Sequence, residues 1–476
     1  MAVLESAGME QFLPGAPLVG PAPVLIKLKT MPAAGDAVYA KSQNLTRPLE
    51  LGKELATGGE GTIFLTSIEG YVAKVFKKEK LDSWKEEKIQ LMCSRKVSCE
   101  GICFPIAPIY NKEQKFVGYL MRKAYGVELG RSIFLPPVLA KTFPDWKKKD
   151  LVRLCATILQ KMEYLHSLNV IMGDINPANI LVVSPSEVYF VDTDSYQVEG
   201  FPCPVSMPNF VAPEIQGKNF RKFLRTKGHE YFAIATLLFM IMLPGQKPYA
   251  KKGSSGNLME NIKAMDFPYE VAGGSGEGIP SGLWSRIWEH LPVPIRSAFY
   301  HTFHESGLHN QEASRYTVSE WLDKFQQYLL GIELGKWDSL GADAFKIFPH
   351  GSAAGVPKEA AVHAPTAKPV LMYGLMDITK NVEKVVSCLQ SLGDETPKTL
   401  LVKLLKGSES TILPYLNQEG VDFSLFGSLK SMPQNEISHL VDYLVFENYL
   451  ALGAGRKKWL EVTEKGQDYV MAKTPR

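Results

Sequence analysis

The sequence predicts an α+β protein in which a two-lobed unit is followed by a smaller C-terminal module. Three observations support this fold class. Apolar strands and glycine-rich turns dominate residues 49–123, as in a small β-rich lobe. Apolar residues then recur at helical period from Leu151 to Ser167, and Tyr231 to Leu243 is an apolar run that suits a buried helix. After a segment rich in Gly, Ala and Pro, helical periodicity returns at Leu371 and ends in a β-hairpin.

Composition narrows the class of protein but names no partner. The 476 residues are 45% hydrophobic and 22% charged, with a net charge of +3, so a basic patch must be local if it exists. The six cysteines show no zinc-site spacing, which favours reduced structural thiols. The N-terminus lacks the pattern of a signal peptide, and the longest apolar run is too short to span a bilayer. A cytoplasmic protein without membrane contact is expected.

Composition shifts divide the chain into five segments. The predicted segments are an N-terminal extension (1–48), a small lobe (49–123), a large lobe (124–331), a linker (332–370) and a C-terminal module (371–476). In the extension, Val24 to Lys29 is predicted to form one edge strand.

Three polar residues surround a predicted hairpin in the large lobe. Asp174 follows an apolar strand, Asn179 comes five residues later, and Asp192 ends the next strand but one, eighteen residues after Asp174. The turn between the last two strands brings these side chains together. One carboxylate can accept or orient a hydroxyl proton, while the amide and the other carboxylate offer oxygen ligands to magnesium. This set suits phosphoryl transfer.

The order and spacing of these residues resemble the catalytic loop and metal-binding strand end of eukaryotic-type protein kinases. The resemblance runs from residue 49 to about 330 and implies a bilobal protein-kinase-like fold. It further implies that the protein binds ATP with Mg²⁺ or Mn²⁺ and phosphorylates a protein on serine or threonine. In that family Asp174 would be the catalytic base, and Asn179 and Asp192 the metal ligands.

The small lobe carries the matching upstream motifs. Gly58, Gly59 and Gly61 lie in a turn between two strands, where backbone amides could close over phosphates. Thirteen residues after Gly61, Lys74 lies within an apolar strand and must pair or face a cavity, because an unpaired buried charge is costly. The resemblance implies that Lys74 contacts the α- and β-phosphates and pairs with a glutamate of the following helix.

That helix offers two glutamates, Glu86 and Glu87. We favour Glu87 as the partner of Lys74, because Ile89 and Leu91 then follow on the buried face, although the register leaves Glu86 open. Met121, at the end of the last small-lobe strand, matches the gatekeeper position of the ATP pocket in the family.

Two further motifs follow in the family order. Val211 to Ile215 matches the Ala-Pro-Glu motif, so the resemblance implies that Glu214 is buried and pairs with a late arginine, here Arg315. The apolar helix after it carries Glu230 where the family usually has Asp.

The sequence also departs from the family. Ala56 replaces the first glycine of the glycine-rich loop, and Met172-Gly173 replaces the His-Arg before the catalytic Asp. Without that arginine, activation by loop phosphorylation is not expected. Asn176 replaces a lysine that touches the γ-phosphate, and Thr193-Asp194 replaces Phe-Gly. Asp194 could serve as a third metal ligand or point outward and cap Ser195 and Tyr196.

The motif variants resemble a divergent bacterial branch of these kinases. Members of that branch often accompany PP2C-type phosphatases and von Willebrand A-type proteins, including in tellurite-resistance clusters. Such a phosphatase and such a von Willebrand A-type protein are therefore expected partners.

The C-terminal pattern of three helices and a two-stranded wing predicts a winged helix. It resembles the RQC domain of RecQ-type helicases, with Lys406-Gly-Ser408 at the Arg-Gly-Ser position and Leu460 to Gly466 ending the wing. In that family the module binds duplex DNA. Here residues 371–476 carry twelve Lys and Arg against thirteen Asp and Glu, and the helix that would enter the major groove has no Lys or Arg.

Few residues of this module could contact nucleic acid. The candidates are Lys406 and Ser408 near a helix start and the wing tip Arg456, Lys457 and Lys458. A solvated hairpin loop explains the basic tip equally well, so docking to DNA and docking to protein both stay open.

Three functions remain in competition. The first is an ATP- and magnesium-dependent serine/threonine kinase, supported by the complete set Lys74, Glu87, Asp174, Asn179 and Asp192. The second is a catalytically weak pseudokinase that senses nucleotide as a scaffold, suggested by the substitutions at 56, 173 and 176. The third is a DNA-binding regulator controlled by its kinase-like part.

Overall fold

The computed structural model describes two compact units, residues 1–356 and 357–476. The residues described are 23–42, 45–252, 258–272, 278–280, 282–350, 372–373, 376–377, 379–392, 396–407, 425–432, 434–446, 449–452 and 459–471. No helix among them is long and apolar enough to cross a membrane.

A closed six-stranded barrel forms the small lobe, with strand order β1-β2-β3-β4-β6-β5. The strands are β1 (Ala37–Lys41), β2 (Thr46–Thr57), β3 (Gly61–Thr66), β4 (Tyr71–Phe76), β5 (Ala107–Tyr110) and β6 (Phe116–Arg122). Strand β1 closes the barrel, because it pairs antiparallel with both β2 and β5.

The N-terminal segment therefore contributes a strand, but not the predicted one. Val24 and Leu25 are largely exposed, and Val24 to Lys29 forms only an isolated bridge between Leu25 and Asp82. The prediction of an edge strand there is wrong. The backbone of this segment instead meets the start of the next helix, where the Ile26 amide donates to the Leu81 carbonyl over 3.0 Å.

Helix α1 (Ser83–Ser94) is the one α-helix described between the strands of the small lobe. Asp82 caps it by accepting a hydrogen bond from the Lys85 amide over 2.8 Å. Its buried side chains are Lys88, Ile89 and Met92. The inward face of α1 thus carries a lysine beside two apolar residues.

The large lobe is mainly helical and is organised around a buried central helix. Its described helices are α2 (Leu129–Ser132), α3 (Pro136–Thr142), α4 (Lys148–Ser167), α5 (Lys227–Met242), α6 (Leu258–Ala264), α7 (Leu283–Glu289), α8 (Val293–Phe303) and α9 (Val318–Glu333). All residues of α5 from Phe232 to Met242 are buried, so the long apolar run is the core of this lobe.

Short strands in the large lobe position the polar loop. They are β7 (Val127–Glu128), β8 (Val170–Ile171), β9 (Ile180–Ser184), β10 (Glu187–Phe190) and β11 (Gln197–Val198). Strands β9 and β10 form the predicted hairpin, with Phe190 opposite Ile180. Residues 179 and 192 therefore flank one end of this hairpin, and the charge of Asp192 acts on Asp174, which precedes β9.

The predicted linker begins too early. Helix α9 continues to Glu333, and the following turns bury Ala344 and Ile347. Trp337 lies against Gly331, where an added Cβ would approach the indole nitrogen to 2.3 Å. Residues 332–348 thus belong to the first unit, since their apolar side chains complete its core.

The second unit is a winged helix. Its described elements are β12 (Met372–Tyr373), β13 (Met376–Asp377), α10 (Thr379–Leu392), β14 (Thr396–Pro397), α11 (Lys398–Lys406), α12 (Gln434–Phe446), β15 (Leu450–Leu452), β16 (Trp459–Val462) and α13 (Glu464–Met471). Strands β15 and β16 form the wing, and β14 adds a third strand beside β16. The predicted α+β class, with a two-lobed unit and a winged helix, is confirmed.

Candidate active site

A buried carboxylate of α5 fixes the loop between β8 and β9. Glu230 accepts hydrogen bonds from the amides of Met172 and Gly173 over 3.1 and 2.7 Å, and its Oε1 lies 2.9 Å from His166 Nε2. Glu230 is 2% exposed. A buried carboxylate needs such donors, and here they fix the backbone that precedes Asp174.

Asp174 lies at the centre of this loop with one carboxylate oxygen unused. Its Oδ1 is buried and has no hydrogen-bond partner among the described residues. Burial raises the pKa of Asp174, while the nearby guanidinium of Arg225 opposes that rise. An oriented carboxylate with a free acceptor is suited to receive a hydroxyl proton.

Asn179 and Asp192 are joined through the backbone. The Val191 amide donates to the Asn179 carbonyl over 2.9 Å, which places the two residues at adjacent strand ends. Asp192 adopts a left-handed conformation with φ of 58°, and its side chain is 46% exposed. Carboxylate and amide oxygens are the ligands that magnesium prefers, so the donor chemistry fits this metal.

Lys74 reaches this strand end from β4. Its ammonium lies 2.5 Å from Asp192 Oδ1 and 2.6 Å from Asp194 Oδ1. Burial alone would lower the pKa of Lys74, but the two carboxylates outweigh burial and raise it. Lys74 therefore stays charged inside the cleft.

Glu87 does not join this cluster, and its predicted pairing with Lys74 is corrected. Glu87 is exposed on α1, because Lys88 and Ile89 occupy the inward positions. The alternative, Glu86, bonds to the Tyr110 hydroxyl over 3.0 Å. Burial lowers the pKa of Lys88 to about 8, and Asp194 is among the charges that face this lysine.

Asp194 is buried, so it does not point outward to cap the following turn. Its side chain is 5% exposed, and its Oδ1 accepts from the Tyr119 hydroxyl over 2.8 Å as well as from Lys74. Burial alone would raise the pKa of Asp194, but the charge of Lys74 dominates and lowers it. Sequence reasoning missed Tyr119, although its period-two spacing to Met121 places both on one face of β6.

The glycine-rich turn joins β2 to β3, and Met121 lies in β6, which pairs with β4. An added Cβ at Gly61 would come within 2.4 Å of the Val75 carbonyl, so only glycine allows β3 and β4 to approach here. The Gly58 amide donates to the Gly61 carbonyl over 2.9 Å, and nothing lies within 4 Å of a Cβ built on Gly59. Met121 is buried opposite Val72 of β4.

Glu214 and Arg315 form a fork-shaped ion pair. Arg315 donates to both carboxylate oxygens of Glu214 over 2.6 and 2.8 Å. The predicted burial of Glu214 is wrong, since its side chain is 35% exposed and only that of Arg315 is buried. His229 and Glu312 lie close enough to form a cation-binding group with Glu214, but Arg315 already uses both Glu214 oxygens.

The guanidinium of Arg225 lies beside Gly173, 3.0 Å from a Cβ built on that glycine. Its guanidinium donates to the carbonyls of Cys203 and Val205, each over 2.8 Å. Gly173 has φ of 70°, and an added Cβ would meet Cys203 Cβ at 2.5 Å. Arg225 thus braces the segment after Asp192 by two hydrogen bonds, and no sequence pattern indicated this role.

In the winged helix, only one predicted nucleic-acid contact lies within the described residues. Lys406 directs its ammonium to the carbonyls of Lys430 and Met432 over 2.7 and 2.9 Å. The ammonium of Lys406 therefore stabilises its own domain by hydrogen bonds to these two carbonyls. Ser408, Arg456, Lys457 and Lys458 lie outside the described residues.

Comparison with known proteins agrees with this architecture. The family model described as Protein kinase domain matches residues 50–325, more than half of the chain. The chain therefore belongs to the protein kinase domain family. A second family model, described as RQC domain, matches residues 373–475.

Among similar proteins, protein kinase YegI of Escherichia coli K12 is 26% identical over 308 residues, covering 61% of this chain and 46% of YegI. The human cGMP-dependent protein kinase 2 is 25% identical over 242 residues, covering 47% of this chain and 29% of that kinase. The chain thus spans less than half the length of these relatives. The chain thus combines a protein kinase domain, similar to that of a bacterial protein kinase, with a C-terminal RQC domain.

Proposed function

We propose that the protein is an ATP- and Mg²⁺-dependent serine/threonine kinase that phosphorylates itself or a partner protein. The observation that carries this proposal is the free, buried Oδ1 of Asp174, in a loop fixed by Glu230. A purely structural aspartate would use that oxygen internally, because unsatisfied buried acceptors are costly. A substrate hydroxyl supplies the missing donor.

Three residues around Asp174 would bind the metal ion and the nucleotide. The oxygens of Asn179 and Asp192 would hold Mg²⁺ or Mn²⁺, and Lys74 would hold the nucleotide phosphates. Bound ATP supplies the phosphoryl group. Asp174 orients the attacking hydroxyl and accepts its proton, and the positive charge of Lys74 stabilises the phosphate oxygens.

Asn176 makes a slow enzyme the expected result. Its Oδ1 accepts from the Ala178 amide over 3.0 Å, so this side chain caps a local turn. The lysine of the family motif would have added a cation at the γ-phosphate. Losing one such electrostatic contact typically lowers kcat by about 100- to 1,000-fold.

The decisive experiment measures phosphate transfer from γ-labelled ATP with Mg²⁺ or Mn²⁺. Asp174→Asn and Asp192→Asn should abolish labelling, whereas Asp145→Asn, which alters an exposed aspartate, should not. Wild-type labelling no stronger than that of Asp192→Asn would refute the proposal. If ATP still raised the melting temperature in that case, the nucleotide-sensing scaffold would be the better description.

For the winged helix we propose a docking role, toward duplex DNA or a protein. The RQC match supports nucleic acid, while the internal engagement of Lys406 reduces the cations available for phosphates. An electrophoretic shift of duplex DNA, lost when Arg456, Lys457 and Lys458 are all changed to Ala, would favour DNA. Co-purification with a PP2C-type phosphatase or a von Willebrand A-type protein would favour protein docking.

A further inference from the structure

Two carboxylates meet Lys74 at the end of β10, and their surroundings differ. The Asp192 side chain is 46% exposed, whereas the Asp194 side chain is 5% exposed. A residue open to the cleft can exchange Lys74 for a metal ion. A buried carboxylate cannot leave its cation without a large free-energy cost.

Asp194 is also fixed from two other directions. The Tyr119 hydroxyl donates to its Oδ1 over 2.8 Å from the neighbouring strand β6. Thr193, just before it, donates its hydroxyl to the Cys103 carbonyl over 2.8 Å and so anchors the backbone. The carboxylate therefore has one position, and Lys74 extends toward it.

Helix α1 supplies no competing carboxylate to this place. Glu87 is exposed, and Glu86 is engaged with Tyr110. The inward residue is Lys88, which is 8% exposed and brings a second positive charge toward Asp194. The charge arrangement on α1 is therefore opposite to that of a helix with an inward glutamate.

We propose that Asp194, held by Tyr119, is the positioning residue that aims Lys74 at the nucleotide phosphates, in place of a glutamate from helix α1. The inference rests on the proposed ATP-dependent activity. When Asp192 binds metal, Lys74 keeps Asp194 as its partner and remains extended. The position of Lys74 at the nucleotide phosphates then depends on Asp194 and not on the position of α1.

The test compares Asp194→Asn, Asp192→Asn and Glu87→Gln, with Asp145→Asn as the surface control. Initial rates are measured across ATP and Mg²⁺ concentrations, together with melting temperatures. Asp194→Asn should lower kcat/KM for ATP about 100-fold and leave the Mg²⁺ midpoint unchanged. Asp192→Asn should raise the Mg²⁺ requirement, and Glu87→Gln should stay within about twofold of wild type.

A double-mutant cycle with Lys74→Met separates positioning from a purely structural role. If Asp194 acts through Lys74, adding Asp194→Asn to Lys74→Met should cause little further loss of kcat/KM. Additive losses would overturn the proposal. A raised Mg²⁺ midpoint in Asp194→Asn would also overturn it, because Asp194 would then be a metal ligand.

A milder variant covers the case in which Asp194→Asn does not fold. Tyr119→Phe removes only the anchoring hydroxyl and should lower kcat/KM for ATP about tenfold, since one hydrogen bond to a charged group is lost. Unchanged kinetics in Tyr119→Phe, or a tenfold loss in Glu87→Gln, would contradict the inference. An inactive wild type would refute the proposed function instead, and the loss of ATP-induced thermal stabilisation in Asp194→Asn would still test whether Asp194 positions Lys74.

Discussion

The two sides of the proposed nucleotide site are built in different ways. On the large-lobe side, Asp174, Asn179 and Asp192 stand in family order on a hairpin whose loop is tied to Glu230. On the small-lobe side, Lys74 stands in family order, but its buried partner, Asp194, comes from the turn after β10 and not from α1. Asp174, Asn179 and Asp192 all lie in the expected region of the large lobe, whereas the predicted Glu87 of the small lobe is exposed and does not pair with Lys74.

The difference shows which kinds of contact a sequence motif predicts reliably. Hydrogen bonds donated by backbone amides depend on the path of the main chain and not on the side chains along it. Glu230 can therefore accept the hydrogen bonds of the loop amides at a position where the family has Asp. A pair of side chains from two separate elements depends on the register of both. One helix position separates Glu87 from Lys88, which is about 100° of rotation, and this turns a carboxylate outward and a cation inward.

Removing the support of the large-lobe side should have the largest effect. Glu230→Ala leaves the amides of Met172 and Gly173 without their acceptor, so the free energy of unfolding should fall by about 3–5 kcal/mol and kcat by about 100-fold. Chemical denaturation and steady-state kinetics measure both, with exposed Glu305→Ala as the control. Near wild-type values for Glu230→Ala would show that the loop is held otherwise.

The ion pair of the large lobe should give a smaller, pH-dependent effect. Partial burial alone would raise the pKa of Glu214, but Arg315 outweighs it and lowers the pKa below its ordinary value of 4.5. Glu214→Ala should cost about 3 kcal/mol at pH 7, the lower end for a buried pair, because the carboxylate is partly exposed.

The sign of the pH dependence follows from the lowered pKa. The stabilisation by the ion pair is complete above the pKa that Glu214 has in the unfolded chain. It is lost as the pH falls through the lower pKa that Glu214 has in the folded protein. The difference in melting temperature between wild type and Glu214→Ala should therefore shrink on acidification below about pH 4.5. A difference that stayed constant down to pH 3 would contradict the role of the ion pair.

Arg225→Lys should have an effect of about 2 kcal/mol. It keeps the charge but cannot donate to the carbonyls of both Cys203 and Val205 in the same geometry, so one buried acceptor loses its partner. Limited proteolysis should detect faster cleavage between residues 199 and 207. Arg221→Lys, at an exposed position, is the matched control, and equal cleavage of the two variants would count against the brace.

The smallest effect is expected in the winged helix. Lys406→Met removes two hydrogen bonds to carbonyls at a partly exposed site and should cost about 1 kcal/mol. Hydrogen exchange of the amides in α11 reports this locally, and exposed Lys403→Met is the control. If Lys406→Met left exchange unchanged but weakened DNA binding, Lys406 would be a nucleic-acid contact after all.

The fold could be predicted because the sequence patterns of its main elements extend over many residues. The apolar run of α5, the hairpin of β9 and β10, and the wing of β15 and β16 each show in the sequence as a clear period or turn. The strand β1 was missed, since Ala37–Lys41 is short and gains its stability from two neighbouring strands. The turns after α9 were missed because Trp337, Ala344 and Ile347 are isolated apolar residues in a polar stretch.

The cleft was predictable only in part. Residues 174, 179 and 192 are close in sequence, so a single hairpin brings them together. The contact of Asp194 with Lys74 and Tyr119 joins three separate segments, and no local pattern encodes it. The burial of Glu214 was overestimated, because pairing with a buried arginine does not require the carboxylate to be buried as well.

Gly173 and Arg225 also bear on how this sequence could change. A side chain at 173 would collide with Cys203, and loss of the guanidinium at 225 would leave two carbonyls unpaired. Restoring the family arginine at 173 would therefore require at least two substitutions at once, each harmful alone. In this chain the positive charge beside residue 173 belongs to residue 225, so no single substitution at 173 would restore the family arrangement.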